Sequence, residues 1–412
     1  MTIGEPSATA LRLASARRRV RSFLDQIGNL ETSDFPHGDA REALIFIREY
    51  FETRQNLLRN MPDSVSDAVA DEVCQNTNRH LSKYTEVLGF ILRSTNVRNA
   101  FEMHFPLKRL VQQAVSAEAR LVMSSEWNFV PFTYPMTLDL LPNFVLVGGP
   151  APESDNPLII PLAGHEIGHS AWRVHGVKET ISPIALAAID ATLARNPAER
   201  DALVAELGQS GHDIVYLQNA CFFSAMRQLE EVFCDHFGLG VFGEAFLYAY
   251  DYFLAPGGGT RAIGYPSARD RLRYLVEGAR VLGIEPETRL FASWQDSSRK
   301  GALETDVLFF ADRAVNDCVD LVRSTAFEIL RHKAVQPPSA EVVDRVEAAF
   351  AAKVPDGDGA TLAEVVTAGW RYLRRRGGLS LEADLQEHNM LCELMLKSIE
   401  VSEFKLRVEG AC

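Results

Sequence analysis

Cysteine is sparse and unclustered: Cys74, Cys221, Cys234, Cys318, Cys392 and Cys412 are scattered along the chain without a CxxC pair. That excludes a disulfide framework or cysteine-rich metal knuckle, and reads as reduced thiols in a cytoplasmic protein with no cysteine ligand. The opening residues, MTIGEPSATALRLASARRRV, lack the apolar core of a secretory signal. Long apolar runs are missing too. The longest, such as 245–255, carry Tyr and Asp, so no membrane span is expected. Positive charge is in deficit: the net charge is −13, which argues against a nucleic-acid partner because phosphate binding rests on clustered Lys and Arg. The two basic runs, Arg17-Arg18-Arg19 with Arg21 and Arg374-Arg375-Arg376, fall in helix-like segments and read as solvated faces. No repeat or low-complexity tract interrupts a composition of 47% hydrophobic and 24% charged residues, which is that of a folded globular protein.

Apolar positions recur at helical spacing from residue 6 to about 125, for example Leu44, Ile45, Ile47, Tyr50, Phe51 and Leu57. Between Trp127 and Leu158 the pattern changes. The stretches Asn128–Pro135 and Asn143–Gly149 are aromatic, β-branched and punctuated by Pro and Gly, and read as strands. A helix is expected from near Pro161 to about Gly176, then helices over about 181–208 and 213–239, and another from Pro266. The C-terminal third is helical, broken at Gln336-Pro-Pro-Ser and Pro355-Asp-Gly-Asp-Gly. The expected fold is mostly α with a small antiparallel or mixed β-sheet. A helical region, 1–125, precedes a core, 126–285, and a second helical region, 286–412, follows it.

Chemistry enters at His165-Glu166-Ile167-Gly168-His169. On a helix, residues four apart share a face, so the two imidazoles can converge on one ion while Glu166 projects about 100° away, within reach of a water. Zinc suits such a set: it accepts imidazole nitrogens, leaves a position for water and lowers that water's pKa toward neutrality. Chance gives roughly 0.03 such patterns in a chain of this composition. The bland alternative, two core histidines and a surface glutamate, must explain polar groups set between apolar Leu158-Ile159-Ile160 and Ala171-Trp172.

Two residues compete to be the third protein ligand. His175 has the spacing of HExxHxxGxxH, but the glycine turn that pattern needs is here Trp172. Glu231 lies in a later helix where Ser224, Arg227, Gln228, Glu231 and Asp235 form a polar stripe on an otherwise apolar segment. Carboxylates on such a stripe want a cation, so Glu231 is favoured. Asp235, one turn on, is placed to orient a ligating histidine, and Glu230 points about 100° away as the weaker ligand.

HExxH followed on a later helix by ExxxD resembles the gluzincin metallopeptidases. The 62 residues between His169 and Glu231 (231 − 169) bring it closer to the CaaX prenyl endopeptidase and heat-shock membrane peptidase group. The acidic segment Asp235-His-Phe-Gly238 and the downstream Tyr265-Pro266-Ser267 with Arg271 are similar to that group's D-x-x-G and HPS-like segments, though Tyr265 replaces the histidine and transmembrane helices are lacking. The resemblance spans about 158–275. It implies a zincin-like core in which Tyr265 and Arg271 help stabilise the reacting carbonyl oxygen.

These features converge on a zinc peptidase in which Glu166 is the general base, with a peptide or protein as substrate. The extended substrate is expected to pair with the strand around Asn143–Val147, and the Gly257–Gly259 loop to permit movement. The competing expectation is a regulatory or scaffold protein that binds a partner through its helical flanks and whose zinc site is structural or gated; zinc hydrolysis of a non-peptide amide is a third.

Overall fold

The computed structural model describes residues 8–62, 65–96, 100–127, 140–254, 261–287, 290–291, 302–376 and 381–410. The protein is mostly α with one small sheet. Among the described residues the chain divides into two compact units.

The first unit holds α1 (Ala8–Leu30), α2 (Gly38–Arg59) and α3 (Asp67–Arg93), with strands β1 (Arg120–Glu126) and β2 (Phe144–Pro150). Of the expected helical positions, Leu44, Ile47 and Phe51 face its core, whereas Ile45 and Leu57 are exposed. Tyr84 closes this core, donating its buried hydroxyl to the Leu140 carbonyl at 2.8 Å. The sheet corrects two expectations. Its strands run parallel, pairing Arg120 with Phe144 through to Glu126 with Pro150, rather than antiparallel or mixed. Also, Arg120–Glu126 is a strand where helix was expected, because a seven-residue segment opening on the apolar run Leu121-Val122-Met123 is too short for its period to separate strand from helix. The expected strand at Asn128–Pro135 lies outside the described residues.

The second unit holds α4 (Ala100–Ala114), α5 (Leu162–Val174), α6 (Val177–Arg195), α7 (Pro197–Gln209), α8 (Ile214–Phe242), α9 (Glu244–Leu254), α10 (Ala268–Val281), α11 (Ala302–His332), α12 (Ala340–Ala351), α13 (Leu362–Arg375) and α14 (Leu381–Glu409). The span expected as one helix over 181–208 is two, divided at Asn196-Pro197, since proline disfavours helical conformation in the residue before it and starts α7. α8 is the unit's axis: α5, α6, α10 and α11 all pack along it. Its burial is nearly complete beyond Ser224, so polar groups on that stretch must find partners inside the protein. The arginines of the 374–376 run pair with Glu287, Glu347 and Glu387, as solvated helix faces do.

Candidate metal centre

Small residues set the distance between α5 and α8. A Cβ built on Gly164 would stand 2.9 Å from the Gly238 Cα, and one on Gly168 would stand 2.8 Å from the Cys234 Cα. The helices therefore cross at backbone contact, which only glycine permits on the α5 side. His165 and His169 each follow one of these glycines, so they flank the seam one turn apart. Glu231 and Asp235 flank it from α8 at the same spacing.

The hydrogen bonds sort the ring nitrogens. His165 Nδ1 donates to Asp235 Oδ1 at 2.8 Å, and His169 Nδ1 donates to Glu230 Oε1 at 2.9 Å. This leaves both Nε2 atoms facing one carboxylate: His165 Nε2 lies 3.4 Å from Glu231 Oε2 and His169 Nε2 lies 3.8 Å from Glu231 Oε1. His165, His169 and Glu231 are thus brought together. Asp235 sits where a histidine-orienting group was expected, while His175 is elsewhere, capping α5 with its Nε2 bonded to the Ala114 carbonyl at 2.8 Å.

Arg271 closes the far side. Its Nε donates to Asp235 Oδ2 at 2.6 Å, and Nη2 donates to Asp235 Oδ1 at 2.9 Å and to Glu231 Oε2 at 3.4 Å. Burial disfavours charge on every one of these groups, yet they hold one another ionised. Burial opposes the His165 cation, but its hydrogen bonds to Asp235 and Glu231 hold its pKa up at about 10. Burial likewise pushes Glu231 up, and His165 and Arg271 bring it down to about 2. Arg271 and His165 hold Asp235 well below the usual carboxylate range against its own burial.

These residues come close to the spacing a zinc-sized ion needs. Tetrahedral ligands at zinc distances stand about 3.3–3.5 Å from one another; the His165–Glu231 separation is 3.4 Å, and the His169–Glu231 separation, to the other carboxylate oxygen, is 3.8 Å. Cys234 offers a rival donor, since its sulfur and the two histidines have ligand atoms within 4.8 Å of one another. Burial first, then Glu230, Glu231, Asp235 and Glu166, push this thiol well above its ordinary range. Its sulfur also lies 3.2 Å from the Cβ position of Gly168, in the helix seam. Glu231, which His165 and Arg271 hold ionised, offers a carboxylate oxygen as the alternative third donor.

Glu166 is buried beside this set and Tyr265 is half-exposed. Glu231 first, then burial, with a smaller contribution from Glu166, raise the Tyr265 phenol. Its ring centre is 5.8 Å from the Arg271 guanidinium carbon. Sequence reasoning missed what holds this segment. Arg261 donates to the Tyr265 carbonyl at 3.0 Å and pairs with Asp312, while Ser224 on α8 donates to the Ile263 carbonyl at 2.6 Å. It also missed the use of Glu230, although the Glu230-Glu231 doublet was visible. The Gly257–Gly259 loop lies outside the described residues.

No protein family, curated protein or solved structure matches the chain. No helix among the described residues is long and apolar enough to cross a membrane.

Proposed function

We propose that this chain is a zinc-dependent peptidase in which His165, His169 and Glu231 hold the metal. One observation carries the reading: both imidazoles spend Nδ1 on separate carboxylates and turn Nε2 toward the same third one. Zinc bound there would act as a Lewis acid toward a carbonyl and a water. Glu166 Oε takes the proton of the attacking water and returns it to the leaving amine. The Tyr265 hydroxyl, kept protonated by its raised pKa, donates to the developing oxyanion. Arg271 has Nε and Nη2 engaged by Asp235 and Glu231, so it acts by fixing those carboxylates. The reading places the protein in the cytoplasm, which five buried cysteines among the described residues, none of them in a disulfide, support.

The test is metal analysis of the purified protein together with digestion of a cell-extract peptide library, with and without chelator. The expected result is bound zinc, chelator-sensitive cleavage, and a Glu166→Gln variant that keeps zinc and loses cleavage. Hydrolysis unchanged in that variant would falsify the role of Glu166, and a protein that takes up no zinc refutes the whole reading.

A further inference from the structure

The hydrogen bond between His169 and Glu230 assigns a task to a residue that geometry on a helical wheel had set aside. Glu230 and Glu231 are consecutive, so their side chains diverge by about 100° around α8. His169 lies between them. Glu231 Oε1 stands 3.8 Å from one ring nitrogen, and Glu230 Oε1 accepts from the other at 2.9 Å. The second Glu230 oxygen is held in turn, since Arg227 Nη1 donates to Oε2 at 2.7 Å. Arg227 and Glu230 are three apart on α8, the spacing that lets their side chains meet.

Resting on the zinc reading above, we propose that Glu230 is the positioning residue of His169, with Arg227 fixing the carboxylate. The imidazole has two edges, and a ligating Nε2 needs its lone pair free, so the ring proton must sit on Nδ1. An acceptor at Nδ1 selects that tautomer, stops the ring flipping and raises the basicity of Nε2. Each histidine then has its own carboxylate and arginine: His165 with Asp235 and Arg271, His169 with Glu230 and Arg227. The two arms differ in exposure. The Asp235 and Arg271 side chains are 2% and 15% exposed, whereas those of Glu230 and Arg227 are 13% and 35% exposed. Solvent can replace part of what the second arm does, so its loss is a graded rather than an abolishing defect.

The experiment measures zinc affinity of the full chain by competition with a chromophoric chelator, in Glu230→Ala, Glu230→Gln and Arg227→Ala. Glu230→Ala is expected to weaken zinc by 10- to 100-fold. Glu230→Gln, whose amide oxygen still accepts from Nδ1, recovers most of that loss, and Arg227→Ala loses less than Glu230→Ala. Proton–nitrogen NMR of the histidine rings in the metal-free protein reads the tautomer directly: His169 carries its proton on Nδ1 in the parent and in Glu230→Gln, and populates both tautomers in Glu230→Ala. A merely structural carboxylate would move helix content and leave the ring tautomer alone. Wild-type zinc affinity in a folded Glu230→Ala overturns this proposal and leaves the peptidase reading intact. A parent protein that binds no zinc overturns both.

Discussion

Replacing Gly168 by alanine separates a helix that merely contains glycine from a seam that requires it. In an open helix the change would help, because alanine is favoured over glycine by about 0.5–1 kcal/mol. Here the new Cβ meets the Cys234 Cα at 2.8 Å, its Cβ at 3.1 Å and its sulfur at 3.2 Å. The nearest of these atoms is backbone, and it cannot swing aside. Restoring ordinary contact at 3.4 Å requires α5 and α8 to part by about 0.6 Å at the level of the site. Overpacking of this kind typically costs about 1–3 kcal/mol. After subtracting the alanine preference, Gly168→Ala should destabilise by about 1 kcal/mol at mid-range and by no more than about 2.5 kcal/mol. A parting of that size also stretches the Nδ1 hydrogen bonds, at 2.8 and 2.9 Å, toward the limit of useful geometry, so zinc affinity falls with stability. The internal control is Gly208→Ala on α7, where an added Cβ meets nothing within 4 Å and the sign should reverse to a gain of about 0.5–1 kcal/mol. Urea unfolding of the metal-free proteins and chelator competition for zinc give the two numbers. If Gly168→Ala proves as stable as the parent and binds zinc equally, the helices are not held at contact by their glycines.

Other outcomes follow from the same geometry. Arg271→Leu strips the cation from buried Asp235 and Glu231, so the metal-free protein should lose about 3–5 kcal/mol in urea unfolding, with saturating zinc restoring part of it; an unchanged midpoint refutes the pairing. Because His165 is held protonated by a pKa near 10, zinc must displace that proton, and calorimetry at pH 7 in buffers of different ionisation enthalpy should register release of about one proton. The folded pKa of His165 exceeds its ordinary 6.5, so its contribution to the stability of the metal-free protein is complete below that pH and disappears as pH rises toward 10; midpoints that climb over that interval contradict it. Tyr265→Phe should lower kcat by about 10²–10³-fold with zinc affinity unchanged, and a variant that instead loses metal places the phenol in the wrong role.

The site was legible wherever its signal was local. The i, i+4 histidines, the polar stripe of α8 and the Glu231–Asp235 spacing are properties of single helices, and a helix fixes its own geometry within a few residues. What the pattern left open was pairing across helices. Nothing in the 3.6-residue period tells whether Asp235 or Glu230 meets His165, because that depends on how α5 is rotated against α8. The rotation follows from Gly164, Gly168, Cys234 and Gly238, small residues whose periodicity in hydropathy is weak although their spacing of four is regular. The sheet failed for a related reason: Arg120–Glu126 and Phe144–Pro150 are each only seven residues, too short for a period to decide, and parallel pairing is a long-range fact. Neither strand shares a compact unit with the metal-binding residues, so the expected pairing of substrate with Asn143–Val147 draws no support from either unit taken by itself.

The C-terminal helices are best understood through α8. A third ligand on a helix is only as well placed as that helix, and α8 is pinned at points spaced along its second half. His236, fully buried, bonds the Tyr274 carbonyl of α10 at 3.1 Å, and a Cβ on Gly278 would strike its ring at 2.5 Å. On α11, Leu330 lies 2.5 Å from the Cβ position of Gly240. On α13, the Thr367 hydroxyl, which donates to the Ala363 carbonyl at 2.7 Å, lies 3.5 Å from the Phe242 carbonyl. Each contact falls on a turn that follows Glu231. A hydrophobic core alone would tolerate sliding by a fraction of an ångström; a site whose donor atoms must meet one ion would not. On the zinc reading, the helical mass beyond α10 would contribute to metal binding by denying α8 the freedom to shift or turn.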